Sequence, residues 1–208
     1  NATHNMVFDK KSAVYNLEKL RLMDSLITNK TIKNYLLKFT TRDFVAVSND
    51  STEVAEVLNL FLEKSTSEAD KIYIRNIVNS VNKLKSGNDL PNLKLLSSNN
   101  TEVDIINVIN KPTVIYFWSS NLPLLLRNTQ YRVKTLKSKF PGINFLAINI
   151  NDDDPGHWRT TLNQHKLSKR NEYHFVNPSE AMNQLAISSV NRSILVDANA
   201  KIINSNAM

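Results

Sequence analysis

The sequence predicts an α/β domain with a mixed sheet and flanking helices, preceded by an all-α N-terminal helical domain. Three observations carry this. Apolar residues recur at helical spacing, uninterrupted by Pro or Gly, up to Gly87. The polar stretch Lys85-Ser86-Gly87-Asn88-Asp89-Leu90-Pro91 then breaks the chain, and the period changes after it. Beyond the break the order is β-α-β followed by α-β-β, which implies a few parallel central strands and a terminal antiparallel hairpin. The domains are set at residues 1–86 and 87–208.

The helical part reads as four helices from residue 8 to about 85. Val14, Leu17, Leu20, Met23 and Leu26-Ile27 form one apolar stripe, and Ile32, Tyr35, Leu36 and Phe39 a second. Asp43 to Val47 either extends that second helix or makes a short buried turn. Asp50 with Glu53 forms a capping box ahead of Val54, Val57, Leu58 and Phe61. Ser65 with Glu68 forms another ahead of Ile72, Ile77, Val78, Val81 and Leu84.

In the second domain, Asn92 to Leu96 reads as a strand and Ser97 to Asn100 as a turn. Thr101 to Ile106 is a return strand or a helical turn. Thr113 to Phe117 is a buried strand, and Leu124 to Phe140 a helix stopped by Pro141-Gly142. A strand over Ile143 to Ile150 and a helix from Pro155 to about Gln164 follow. Tyr173 to Val176 is a short strand. Asn177-Pro178-Ser179-Glu180 combines an N-cap, a Pro at the first helical position and an acid behind it, starting a helix to about Ala186. Ser193 to Val196 and Lys201 to Ile203 pair as a hairpin. With only 3 Gly, Asn88, Asn99 and Asn199 are expected to take the positive-φ turn positions.

Composition excludes several function classes. The chain has no cysteine, so disulfides, thiolate metal sites and thiol redox catalysis are impossible. Net charge is +7, with cations spread along the chain. The densest cluster, Arg132, Lys134, Lys137 and Lys139, reads as a solvated helix face, without the interleaved aromatics of a nucleic-acid groove. No run approaches a membrane span. No leader is visible, and the start at Asn1-Ala2 carries the expectation that one precedes it; membrane association is expected only through such a signal or anchor. Asp152, Asp153, Asp154 and His157 read as an acidic helix start favoured by the macrodipole, not as a metal loop. His4, His157, His165 and His174 show no ligand spacing. No G-x-S-x-G or phosphate loop is present. No metal and no cofactor is expected.

Four segments in order carry a resemblance. Gly87 to Leu93 resembles a G-x-x-x-P-x-F opening strand, and Lys111-Pro112 with Val114 to Ser120 a strand ending in F-W-A-S. Ile148 to Asp153 followed by Trp158 resembles I-x-x-D-x-D…W. Ile194 to Asp197 with Lys201 to Ile203 resembles the hairpin F-L-I-D-x-x-G-K-I-I. Together they resemble the thioredoxin fold, specifically the TlpA-like/AhpC-TSA-type thioredoxin-like proteins of the bacterial cell envelope. The resemblance spans about Gly87 to Ile203 and implies a periplasmic or envelope location. In that family W-C-x-x-C follows F-W-A-S. Here the Trp position holds Asn121 and the two cysteine positions hold Leu122 and Leu125. The Pro that faces the thiols, normally cis, corresponds to Asn191 after Val190. The family also adds a helix after the hairpin; either it is missing here or the helical domain covers that face.

Trp118, Asn121, Leu122, Leu125 and Asn191 are thus the vestigial active-site positions. Trp118, Ser119, Ser120, Leu122 and Val190 are candidates for binding a partner, with Trp118 read first as a packing residue. Leu122 to Leu126 either expose an apolar patch or bury against the sheet. Two functional readings follow. The first is a redox-inactive, protein-binding or scaffold module of the cell envelope, with no nucleic-acid partner. The alternative is an enzyme of non-thiol chemistry at this site or in the interdomain cleft, recognisable by a deep polar pocket holding a perturbed acid or base. A chain grouped with oxidoreductases by fold similarity alone would share the first reading's chemistry.

Overall fold

The structure, a computed structural model, describes residues 9, 11–48, 50–151, 155–187 and 190–205. The chain divides into two compact units, Asn1–Asn82 and Lys83–Met208, a few residues ahead of the expected boundary.

The first unit contains α1 (Ala13–Leu26), α2 (Lys30–Val47), α3 (Ser51–Lys64) and all but the last residue of α4 (Glu68–Lys83). Asp50 caps α3 as expected, accepting from the Thr52 and Glu53 amides at 2.8 and 3.2 Å. The next cap is displaced. Ser65 closes α3, and Ser67 starts α4 by accepting from the Asp70 amide at 3.3 Å. Asp43 to Val47 extends α2.

The core of this unit combines Leu20 of α1, Leu37, Phe44 and Val45 of α2, Val54, Val57 and Phe61 of α3, and Ile74 and Ile77 of α4. Of the two apolar stripes expected inside, the α1 stripe turns inward in part, through Leu20, Leu17 and Met23, and the α2 stripe mostly does not. Ile32, Tyr35 and Phe39 of α2 are exposed, as are Val14 and Leu26 of α1. Helix α2 is apolar on more than one side, and Leu37, Thr41 and Phe44 take the inward face instead.

The second unit is built on β1 (Lys94–Ser97), β2 (Glu102–Asp104), β3 (Thr113–Trp118), β4 (Asn144–Asn149), β5 (Glu172–Phe175), β6 (Ser193–Val196) and β7 (Ile202–Asn204). These form one sheet in the order β2-β1-β5-β4-β3-β6-β7. Strands β3, β4 and β5 are parallel, and the other pairings antiparallel. Thr101 to Ile106 satisfies both expectations in part, since β2 runs into a 3-10 turn at Ile105–Val108. Helices α5 (Pro123–Lys139), α6 (Pro155–Gln164) and α7 (Pro178–Gln184) flank the sheet.

The central strands are rich in β-branched and aromatic residues because both faces are covered. On one face Tyr116 and Trp118 of β3 and Phe145 and Ala147 of β4 pack with Leu126 and Val133 of α5 and Trp158 and Leu162 of α6. Burial of each large side chain contributes roughly 1.5–3 kcal/mol. Phe117 and Phe175 stack, ring centroids 6.3 Å apart, within the alternate set that faces the other way.

The residues at positive φ are not the predicted ones. Asn100 and Asn171 adopt it, as do Lys166, Ala186, Ala200 and Gly87, while Asn88, Asn99 and Asn199 do not. The Asn177 side chain makes no capping hydrogen bond, and Pro178 alone marks the start of α7. The acidic run Asp152 to Asp154 lies outside the described residues.

Candidate functional site

The C-terminal end of β3 leads through Ser119 to Leu122 into α5, and this is where an α/β sheet of this topology places a site. Polar side chains fix the turn. The Ser120 amide donates to Asn151 Oδ1 at 3.0 Å, and Asn149 Nδ2 donates to Ser120 Oγ at 3.2 Å. The Asn151 amide donates to Asn149 Oδ1 at 3.1 Å. Ser119 accepts from the Asn121 amide through its hydroxyl and from the Leu122 amide through its carbonyl, both at 3.2 Å. Both β4-end asparagines are buried, so their amides are committed to holding this turn.

Leu122 is the N-cap of α5, and its carbonyl accepts from the Leu126 amide at 2.9 Å. No side chain caps the helix, and Pro123 at the first position has no N–H to satisfy. The leucines divide. Leu122 is 46% exposed, Leu124 is exposed, Leu125 is half-buried and Leu126 is buried. The apolar patch therefore exists at Leu122 and Leu124 and ends at Leu126. Asn121 is exposed and Ser119 and Ser120 are half-buried.

Two of the partner-facing candidates point inward. Trp118 is 1% exposed and cannot act as a platform; it packs against Leu126, Ala147 and their neighbours. Val190 is likewise buried. Asn191 is exposed. Because Ser193 pairs with Tyr116, the antiparallel register brings Asn191 to the level of Trp118. No peptide bond is cis among the described residues, in keeping with Asn at that position.

Beneath the turn lies a buried acid that sequence reasoning missed. Trp118 Nε1 donates to Glu172 Oε2 at 3.1 Å. Glu172 opens β5 in register with Ala147, whose small side chain separates it from β3. Glu172 is only 5% exposed. Burial pushes its pKa up to about 7, against the pull of the Trp118 indole, Gln130 and the Lys137 charge. Burial, and then the Glu172 charge, pushes the Tyr116 phenol up as well. The available signal is spacing: Glu172 and His174 share one face of β5, which begins one residue before the expected Tyr173. His174 Nδ1 meets the Phe175 carbonyl at 2.5 Å, which fixes its proton there. Its ring lies 5.6 Å from that of Trp158.

Arg192, next to Asn191, is also buried. It donates to the Ala186 carbonyl at 2.6 Å and the Ser205 carbonyl at 3.0 Å. Burial lowers its pKa to about 10. Among the described residues no group of three or more His, Asp or Glu gathers as a metal site. None of their helices is long and apolar enough to cross a membrane.

Comparison with solved structures decides the fold. A thioredoxin-like protein from Bacteroides caccae aligns over 95% of this chain and 74% of its own, with a TM-score of 0.58 and 12% identity. The chain has a thioredoxin-like fold. The thioredoxin domain of a thiol-disulfide oxidoreductase from Bacteroides vulgatus covers 60% of this chain and 89% of its own, with a TM-score of 0.50 and 18% identity. A thiol:disulfide interchange protein from a Bacteroides species covers 58% and 80%, with a TM-score of 0.50 and 19% identity. No family model and no curated protein matches the sequence. The match to the Bacteroides caccae protein extends through the helical unit that precedes the thioredoxin-like one. The neighbours' names describe thiol chemistry, whereas this chain contains no cysteine.

Proposed function

We propose that this protein is a redox-inactive thioredoxin-like module of the bacterial cell envelope that holds a protein partner at the surface left by the missing thiols. One observation carries the reading. The N-cap of α5, aligned with the first cysteine of the resembling family, holds a Leu that is 46% exposed. A thiolate there would draw its reactivity from the helix N-terminus. Leu neither ionises nor exchanges, and an exposed Leu beside Ser119, Ser120 and Asn121 offers contact area rimmed by hydrogen-bonding groups. The envelope location rests on the resemblance and on the bacterial sources of the structural neighbours.

The buried acid does not favour an enzyme. Glu172 is perturbed, but its carboxylate is engaged by the Trp118 indole within the packed face of the sheet.

The test is photo-cross-linking from position 121 in envelope extracts, comparing wild type with Leu122→Asp and with Lys166→Asp, an exposed change elsewhere on the unit. The expected result is a discrete cross-linked product that Leu122→Asp abolishes and Lys166→Asp preserves. A product indifferent to Leu122→Asp removes the basis of the proposal.

A further inference from the structure

Helix α5 carries Arg127, Arg132, Lys134, Lys137 and Lys139 and no acidic residue. None of these cations takes part in an ion pair among the described residues. Their arrangement follows from 3.6 residues per turn, which brings residues seven apart nearly into line. Leu124 and Tyr131 form the outermost row and are 71% and 77% exposed. Arg127 and Lys134 form a row on one side, and Arg132 and Lys139 a row on the other, all four exposed. The inward face belongs to Leu126 and Val133. The outer surface of α5 is thus a ridge whose crest carries Leu124 and Tyr131 beside the uncharged polar Asn128 and Thr135, with a cationic row along each flank.

From this geometry we infer that the ridge docks on an anionic lipid surface. The crest is convex, and two apolar side chains about 10 Å apart along the axis suit insertion into a planar headgroup layer, with the cations meeting lipid phosphates on both sides. A docked peptide would need apolar pockets beside the crest. The groove of about 350 Å³ next to it is instead lined by Gln130, Lys134, Lys137 and Ser138 around Val133. A helix without acidic residues, its cations outside any ion pair among the described residues, also repels a basic partner. The ridge shares Leu124 with the apolar patch at Leu122, while Tyr131 and all four flanking cations lie along the helix beyond it.

The test is co-sedimentation of the whole protein with phosphatidylglycerol/phosphatidylcholine vesicles and with phosphatidylcholine alone, at low and at physiological ionic strength. Binding is expected only to the anionic vesicles, weakening with salt. Arg127→Gln/Lys134→Gln is expected to reduce partitioning about 25-fold, at roughly fivefold per cation. Lys169→Gln/Arg170→Gln removes the same charges from an exposed loop and is expected to change it less than twofold. Leu124→Ser/Tyr131→Ser is expected to reduce it severalfold with all cations kept. All these positions are exposed, so thermal melts should coincide and folding loss is separable. Three results overturn the inference: no binding to anionic vesicles, equal losses in the ridge and loop variants, or binding to polyglutamate in place of vesicles, which would assign the ridge to an acidic protein. Loss of the Leu122-dependent cross-link with vesicle binding intact would count against the partner site alone.

Discussion

The indole N–H of Trp118 donates to the carboxylate of Glu172 across β4, at 3.1 Å, beneath the turn that opens α5. One strand end therefore supplies the donor and another strand start the acceptor, and the pair fixes the Trp118 ring under the site. It also sets a pH dependence.

Glu172 titrates at about 7 in the fold, while a Glu in the unfolded chain titrates near 4.3. Below the unfolded value both states hold the proton, and the fold has its full stability. As pH rises from about 4.3 to about 7, the unfolded chain releases the proton and the folded chain keeps it. Stability falls across that window by about 4 kcal/mol and levels off above it. Glu172→Gln keeps an acceptor for the indole and removes the titration. Urea midpoints at pH 5 and pH 8 should differ for wild type and stay nearly level for the variant; parallel losses would show that Glu172 does not titrate this way.

Arg192 holds the backbone on either side of β6. Its guanidinium joins the Ala186 carbonyl, at the end of the α7 region, to the Ser205 carbonyl beyond β7. Arg192→Met retains length and removes both donors. Two carbonyls then lose their partners, at a cost of about 2 kcal/mol, while some of the desolvation cost of the buried charge is recovered. Arg192→Lys, able to reach one carbonyl, should fall between. Chemical denaturation of the three proteins measures the order directly.

Ala200 adopts φ 61° in the β6–β7 hairpin, where the resembling family has Gly. Asp197 organises the turn, its carboxylate accepting from the Asn199 and Lys201 amides at 2.8 Å each. The left-handed conformation costs an L-residue about 1–2 kcal/mol, partly offset by the freedom Gly adds to the unfolded chain. Ala200→Gly should stabilise the protein by about 1 kcal/mol, raising the melting temperature by about 3 °C. An unchanged or lower melting temperature would show that burial of the Ala200 methyl outweighs the strain.

The sequence made the sheet legible because its central strands are short, β-branched and bounded by Pro, Gly and Asn. It made α3 legible because Asp50 sets a cap one turn ahead of a single apolar stripe. Helix α2 was not readable in the same way. Ile32, Tyr35 and Phe39 offered one stripe and Leu37, Thr41 and Phe44 another, and the face is chosen by packing between helices, which one strand of text does not contain. Two positive-φ positions lie one residue beyond the asparagines expected to take them, at Asn100 after Asn99 and at Ala200 after Asn199, the second without the Asn side chain that motivates the expectation. At the site, the resemblance read from the sequence sets Leu122 and Leu125 at the family's cysteine positions. The inward packing of Trp118 is its first reading in the sequence, but its acid is not legible there, since Glu172 is 54 residues away and its role depends on the register of three strands.

The central claim is that this fold presents surface in place of thiol chemistry. Turnover in the insulin disulfide-reduction assay tests it most directly, with wild type run beside Leu122→Cys/Leu125→Cys. The account predicts wild-type turnover at the buffer baseline, and a gain in the double variant, whose thiols would sit at the start of α5. Wild-type turnover above baseline would contradict it.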